Sequence, residues 1–185
     1  MKRLVIPLVL TALLVSCGGS TPVAECTQDY WNGTVGTCLP EGWTVMDRET
    51  MLQRGLPEET VVAFRSDASV SGQFPSITVT QEPLAQAVEA VDYSAANIRA
   101  VSVLPGYKLI DSVDLAVDGV DVALHTFAAQ PLEEEPARRF YQISTVQQGV
   151  GYTITAAVPL SVPKDLEAQV LLILKSVTFV GAAEG

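Results

Sequence analysis

The spacing of apolar and polar residues changes several times along the chain, and each change predicts a new element. The first half shows three runs that are typical of short β-strands, at 43–45, 61–65 and 76–81. In the third run, Ile77 and Val79 are expected to point inward while the intervening threonines point outward. Asp47 can cap a brief helix, which Gly55 and Pro57 end.

A helical period replaces this alternation between residues 92 and 104. We predict an amphipathic helix here, with an apolar face made of Ala95, Ile98 and Val101 together with Ala96 and Ala100. Asp92 or Ser94 is expected to cap its start, and Pro105-Gly106 is expected to stop it.

The second half of the chain predicts a meander of strands and a closing helix. The strands are expected at 107–117, 120–128, 138–146 and 152–158, with Asp118-Gly119 as a tight turn between the first two. The helix is expected over 164–176, with an apolar face of Leu166, Val170, Ile173, Leu174 and Val177. Because strands joined by tight turns are antiparallel, the fold class is predicted to be α+β, a mostly antiparallel sheet of about six or seven strands covered by helices.

Residues 1–16 are typical of a signal peptide and not of a folded domain. Lys2 and Arg3 precede an apolar run over 4–15, which is shorter than the roughly 20 residues that span a bilayer as a helix. The run leads into Leu14-Val15-Ser16-Cys17, which is similar to the lipobox of bacterial lipoproteins. We therefore predict cleavage before Cys17, lipidation of its thiol and a flexible tether over 17–25. An ordinary secretory signal with an incidental cysteine is the alternative.

Acyl chains on Cys17 would hold the domain on the outer side of a membrane, since more than one chain gives lasting attachment. The chain carries a net charge of −10, and loss of Lys2 and Arg3 makes the mature protein more acidic still. This charge argues against nucleic acid as a partner, because binding to nucleic acid depends on lysine and arginine at the phosphates. The expected location is extracytoplasmic, with the lipid anchor in the cell membrane or an outer membrane.

Cys26 and Cys38 are the two cysteines left once Cys17 is lipidated. An even pair in an exported protein predicts a disulfide, which would close the polar segment 26–38 ahead of the domain. Zinc is the alternative, but two cysteines and one distant histidine, His125, cannot complete a four-ligand site. The sequence therefore predicts no metal and no cofactor.

Six short motifs follow one another between residues 39 and 180, namely Pro40-Glu41-Gly42-Trp43, Phe64, Ile77-Thr78-Val79, Tyr93, Gly119-Val120-Asp121-Val122-Ala123 and Ile173-Leu174-Lys175-Ser176-Val177-Thr178-Phe179. In this order they resemble the PsbP-like family, which includes DcrB-type bacterial lipoproteins and the extrinsic photosystem II subunit. The resemblance implies a central antiparallel sheet between helices, in proteins that mostly act as binding or assembly subunits. The resemblance implies no catalytic residue at any position of this sequence. The domain would cover 39–180 and leave 181–185 as a tail.

His125 is the only histidine in the chain and the one residue that suggests hydrolytic chemistry. It follows Leu124 in a predicted strand, and no serine or cysteine lies near it in a recognisable nucleophile context. A hydrogen-bonded or surface histidine is therefore the simpler interpretation. Gly149-Val150-Gly151 joins two predicted strands and opens no helix, unlike a phosphate-binding loop. We predict no catalytic residue and no enzymatic activity.

Two segments are candidate interaction surfaces. Glu133-Glu134-Glu135, bracketed by Pro131 and Pro136, is followed by Arg138-Arg139. This charged loop lacks the spaced oxygen ligands of a calcium loop. It is either a solvated hairpin tip or a recognition loop. Tyr30 and Trp31 lie in an otherwise polar segment, where they either pack over the edge of the sheet or contact a partner or lipid headgroups.

Three functions are compatible with these patterns. The favoured one is a non-catalytic, membrane-anchored interaction or assembly module with an unidentified protein partner, because core patterning is complete and a catalytic constellation is missing. The alternatives are a small-molecule or lipid carrier with a cavity between sheet and helix, and a hydrolase that uses His125.

Overall fold

The computed structural model describes residues 23–181. The predicted signal peptide, Cys17 and most of the predicted tail lie outside the described residues. In chain order the elements are β1 (Gln28–Trp31), β2 (Gly36–Leu39), β3 (Trp43–Val45), α1 (Arg48–Gln53), β4 (Thr60–Ser66), β5 (Ser76–Pro83), α2 (Ala90–Val101), β6 (Lys108–Val117), β7 (Val120–Ala129), β8 (Arg138–Gln147), β9 (Val150–Pro159) and α3 (Lys164–Lys175). Between residues 23 and 181, no helix has the length and apolar character that crossing a bilayer requires.

The central sheet has seven strands in the order β3-β4-β5-β9-β8-β7-β6, and every neighbouring pair is antiparallel. This confirms the predicted α+β class and the predicted strand number. The β6–β7 turn is made by Asp118 and Gly119 and the β8–β9 turn by Gln148 and Gly149, all four with positive φ. Two such residues in succession match the right-handed twist of the paired strands, which is why both hairpins close in two residues.

The main core lies between one face of the sheet and α3. Ile77, Ile143 and Ile154 are fully buried on three adjacent central strands, and Val170 and Ile173 of α3 are fully buried against the sheet. This confirms the predicted inward pattern of β5 and the predicted apolar face of α3. Each fully buried aliphatic side chain of this size stabilises the fold by roughly 1.5–3 kcal/mol.

The opposite face of the sheet is covered by α2, which packs on β7 and β8. The predicted helix exists, and Ala95, Ile98 and Val101 of its predicted face are half-buried, but the predicted caps and the assignment of Ala96 and Ala100 to that face are wrong. Glu89 is the N-cap residue, and the buried positions include Tyr93 and Ser94, whereas Ala96 and Ala100 are exposed. The reason is the large ring of Tyr93, which needs a deep site against the sheet and so sets the rotation of the helix about its axis.

The segment around Tyr30 and Trp31, predicted as a polar loop, is a β-hairpin made of β1 and β2. It docks on the end of α3: the Thr37 hydroxyl donates to the Ile173 carbonyl at 2.7 Å, and the Gly36 amide donates to the Thr178 carbonyl at 2.8 Å. The loop prediction is wrong because these backbone and hydroxyl bonds stabilise strands that carry little apolar pattern. The predicted disulfide between Cys26 and Cys38 is present and fastens the start of this hairpin.

Candidate functional site

A groove of about 770 Å³ lies on the half of the outer sheet face that α2 leaves open. Its floor is made by small side chains of the two central strands, Ser76 on β5 and Ala157 on β9, which lie opposite each other in the register. The same cross-strand row continues to Arg65 on β4 and to Phe140 on β8. Small residues in the middle of a row and large ones at its ends produce a concave surface.

Each wall of the groove combines an arginine with a phenylalanine. On one side, the Arg65 guanidinium carbon lies 3.7 Å from the centroid of the Phe74 ring, and Phe74 belongs to the loop between β4 and β5. On the other side, Arg138 and Phe140 leave the same face of β8, two residues apart. Arg54, at the end of α1, is a third guanidinium on the lining.

The loop that connects β7 to β8 forms one rim of the groove. The Gln130 side-chain amide donates to the carbonyls of Glu133 and Glu135, at 3.1 and 2.8 Å, and so holds the loop in a turn. Glu133 and Glu134 are exposed at its tip, while Glu135 lines the groove and lies 3.9 Å from Arg138. The charged loop predicted from sequence therefore contributes to the candidate site through Glu135 and Arg138.

Arg139 points to the other face of the sheet, away from the groove. Its guanidinium lies 3.5 Å from the Glu167 carboxylate on α3, and the Tyr141 hydroxyl donates to the same carboxylate at 2.6 Å. Burial, together with the hydrogen bond to Glu167, raises the pKa of Tyr141 to about 12. Arg139 therefore belongs to a group of side chains that joins α3 to β8. Unlike its neighbour Arg138, it does not line the groove.

Tyr30 and Trp31 point to opposite sides of their strand. The Tyr30 ring meets the core ring of Phe64 edge to face at a centroid distance of 5.1 Å, and burial raises the pKa of its hydroxyl. Trp31 is 44% exposed and lies against the backbone of Gly36 and Gly181. Of this predicted pair, Trp31 has the exposure that contact with a partner or membrane would need.

His125 is 3% exposed and lies on the α2 side of β7. Its Nε2 atom is 3.1 Å from the Tyr107 hydroxyl, and its ring lies 5.2 Å from that of Phe127. Burial lowers the pKa of the imidazole, which favours the neutral form. His125 does not line the groove. Its surroundings are those of a packed, hydrogen-bonded core histidine.

The sulfur atoms of Cys26 and Cys38 and a carboxylate oxygen of Asp29 lie within 4.8 Å of one another. The two sulfurs are joined in the disulfide, so neither is available as a thiolate ligand. Asp29 instead lies 3.5 Å from the Cys26 sulfur as a neighbour within the hairpin. This cluster therefore supports the disulfide and gives no support to a metal centre.

Sequence reasoning missed most of the groove, namely Arg54, Arg65, Phe74, Ser76, Phe140 and Ala157. One local signal points to it: Arg65 alternates with the buried Phe64 and Ser66, so it must leave the sheet on the outer face. Ser76, Ala157 and Phe140 come together only through the register of β5, β9 and β8. Arg54 and Phe74 join them from the end of α1 and from the loop between β4 and β5.

No protein-family model and no curated protein matches this sequence. Among solved structures, cyanobacterial PsbP (CyanoP) from Synechocystis is similar with a TM-score of 0.56 and 17% identity, over 90% of this chain and 99% of that protein. The chain has a PsbP-like fold. LpqN, involved in cell envelope biogenesis of Mycobacterium tuberculosis, is similar with a TM-score of 0.54 and 11% identity, over 78% of this chain and 82% of that one. The PsbP-like resemblance read from sequence is thus confirmed for the fold, while kinship with DcrB-type lipoproteins stays a prediction.

Proposed function

We propose that this chain is an exported, non-catalytic binding module of the DcrB-type lipoprotein kind, tethered to a membrane by lipid on Cys17, and that the groove is its binding site. The observation that carries the proposal is the groove itself: about 770 Å³ of concave surface, with a floor on strands β5 and β9, rims made of loops, and walls that each combine an arginine with a phenylalanine. Small-molecule sites in proteins typically have volumes of about 300–1,000 Å³ and combine apolar walls with a few polar groups.

Two features support an extracytoplasmic location with an anchor. The Cys26–Cys38 disulfide is of a kind that persists in oxidising compartments. Leu14-Val15-Ser16-Cys17, which resembles a lipobox, precedes the first strand of the domain, β1, in the sequence. LpqN, a protein of similar fold, is involved in cell envelope biogenesis, which agrees with an extracytoplasmic location.

The position of His125 favours binding over hydrolysis. The imidazole is buried beside Tyr107 and Phe127 and does not reach the groove, so it cannot serve as a base for a molecule bound there. The groove is lined by three arginines, whose planar guanidinium groups are suited to binding anions.

The anchor and the groove are tested separately. Metabolic labelling with palmitate should mark the wild-type protein and not Cys17→Ala. Equal labelling of the two proteins would overturn the proposed lipid anchor.

For the groove, the full chain is released from membranes in mild detergent and its mass is measured by native mass spectrometry. We expect a bound molecule in the wild type that Ala157→Trp displaces by filling the floor. Val103→Trp, at a side chain that is 82% exposed and outside the groove, should leave it in place.

A protein partner at the tip of the charged loop is the second candidate. Glu133 and Glu134 are exposed on a loop that Gln130 holds in one conformation, which is the arrangement of a recognition loop on a rigid scaffold. Pull-down from solubilised membranes with the wild type and with Glu133→Lys/Glu134→Lys tests this candidate. A partner that both proteins retain equally, or no specific partner at all, would rule out the loop tip as a binding site for a protein partner.

A further inference from the structure

The groove is basic although the protein is acidic. Arg54, Arg65 and Arg138 line it against a single carboxylate, Glu135, while the whole chain has a net charge of −10. Four other cavities formed by the described residues each have as many carboxylates as cations on their lining, or more. A concave surface with low-dielectric walls concentrates such a field and attracts ligands of opposite charge.

The two wall arginines are held apart at a fixed span. Arg65 lies on β4 and Arg138 on β8, and two strands, β5 and β9, separate them. Strands in a sheet are about 4.8 Å apart, so the two walls stand about 14 Å from each other at the backbone. The long arginine side chains reach into this space from both sides, over a floor that carries the hydroxyls of Ser76 and Thr78.

Both wall arginines retain hydrogen-bonding capacity that the described residues do not use. The Nε atoms of Arg65 and Arg138 are buried, like that of Arg139 outside the groove, so the donors that a ligand in the groove can reach are the terminal guanidinium nitrogens. The Arg138–Glu135 distance of 3.9 Å is longer than a hydrogen bond. A guanidinium offers five donors in a planar fork that matches the oxygens of phosphate and carboxylate groups.

From these observations we infer that the groove binds an organic phosphate, with its phosphate group between the Arg65 and Arg138 guanidiniums and its apolar or aromatic body against Phe74 and Phe140. The inference rests on the proposed function and names its ligand class. Three guanidiniums against one carboxylate leave an excess of two positive charges, which matches a phosphate monoester and exceeds what a single carboxylate needs. Met46, Leu56 and Leu132 add apolar lining for the body of the ligand.

Calorimetric titration of the full chain in detergent with phenyl phosphate tests the inference. We expect saturable binding that Arg65→Gln and Arg138→Gln each weaken by roughly tenfold or more, because each removes charge-assisted hydrogen bonds. Arg139→Gln is the matched control: it removes the same charge from the next residue of β8, on the face away from the groove. It should leave the affinity for phenyl phosphate within about twofold of wild type, since the Arg139 guanidinium faces α3 and is paired there with the Glu167 carboxylate.

Two further binding measurements distinguish recognition of the phosphate charge from recognition of the ring, and provide a variant that keeps both arginines. Phenol, which keeps the ring and lacks the phosphate, should not bind measurably. Ser76→Asp adds a carboxylate to the floor, leaves both arginines in place and should abolish binding of phenyl phosphate. Phenol binding as tightly as phenyl phosphate, or Arg139→Gln weakening binding as much as Arg138→Gln, would overturn the inference.

The source of the phosphate group is resolved by comparing phenyl phosphate with a short-chain phosphatidic acid. Binding of the lipid well above that of phenyl phosphate assigns the site to a lipid headgroup, and the reverse assigns it to a soluble metabolite. If neither binds, the inference fails. A bound molecule that Ala157→Trp displaces but the arginine variants retain would refute the phosphate inference and leave the binding module intact.

Discussion

Gly151 on β9 lies directly beneath the ring of Tyr93, a side chain that extends from α2. A Cβ atom built on Gly151 would be 2.5 Å from Cζ of Tyr93 and 2.7 Å from its hydroxyl oxygen. Because Tyr93 is buried and its hydroxyl lies 3.5 Å from that of Thr153, the ring has little room to retreat. The absence of a side chain at position 151 is what lets α2 approach the sheet.

We expect Gly151→Ala to destabilise the protein by roughly 1–3 kcal/mol, the usual cost of forcing extra atoms into a packed contact. A double-mutant cycle with Tyr93→Ala identifies the cause. Once the ring is gone, Gly151→Ala should cost close to nothing, since alanine is otherwise acceptable in a strand. Denaturant unfolding of the four proteins gives the coupling energy, and equal costs in both backgrounds would contradict the proposed clash.

The disulfide between Cys26 and Cys38 should contribute much of the stability of the β1–β2 hairpin. The two cysteines are 12 residues apart, and in the chain-entropy treatment a loop of about this length gives roughly 3 kcal/mol. We predict that Cys26→Ser/Cys38→Ser lowers the free energy of unfolding by about that amount. Wild-type protein unfolded in the presence of reductant should match the double variant, while the double variant should not respond to reductant. A wild type that is insensitive to reductant would contradict this.

The sequence predicted best where the periodic pattern and the burial agree, as in α3. Leu166, Val170, Ile173 and Leu174 recur at helical spacing, and all four are buried in the structure. The pattern of α2 was less informative, because one aromatic residue, Tyr93, outweighs several alanines in setting which side of the helix faces the sheet. Burial of a tyrosine removes far more apolar surface from water than burial of an alanine.

The candidate site could not be predicted from the sequence for a different reason. Arg65 and Arg138 are 73 positions apart in the numbering, and the register of four strands alone brings their walls to the two sides of one groove. The sequence did show the charged loop, but it placed Arg138 and Arg139 together. Side chains of successive strand residues point to opposite faces, so only one of the two can serve any one surface.

Burial of Tyr141, together with its hydrogen bond to Glu167, should make the stability depend on pH in the alkaline range. The pKa of Tyr141 is about 12 in the folded protein, above its usual value of 10.0. The unfolded chain therefore loses this proton first, which favours unfolding as the pH rises from 10 towards 12. Below pH 10 the full contribution is present. We expect the wild type to lose stability over this interval more steeply than Tyr141→Phe, in denaturant unfolding at a series of pH values.

A second variant separates the two causes of this pKa. In Glu167→Gln the carboxylate charge is gone while burial of the ring is kept, so the pKa of Tyr141 should fall and still exceed its usual value, because burial is the larger cause. Phenolate absorbance measured against Tyr141→Phe isolates this one hydroxyl from the other tyrosines. An unchanged titration in Glu167→Gln would show that the carboxylate has no part in the shift.

Burial of His125 should also make the stability depend on pH, but here the stability decreases as the pH falls into the acid range. Burial lowers its pKa below the usual value of 6.5, so the unfolded chain takes up a proton before the folded chain does. The contribution of the neutral imidazole to stability is complete above pH 6.5 and decreases as the pH falls below that value. His125→Gln should therefore lose less stability on acidification than the wild type. Because His125 is the only histidine in the chain, its ring signals can be followed by NMR without overlap. A titration midpoint at or above 6.5 would contradict the burial of His125 beside Tyr107 and reopen the question of a catalytic histidine.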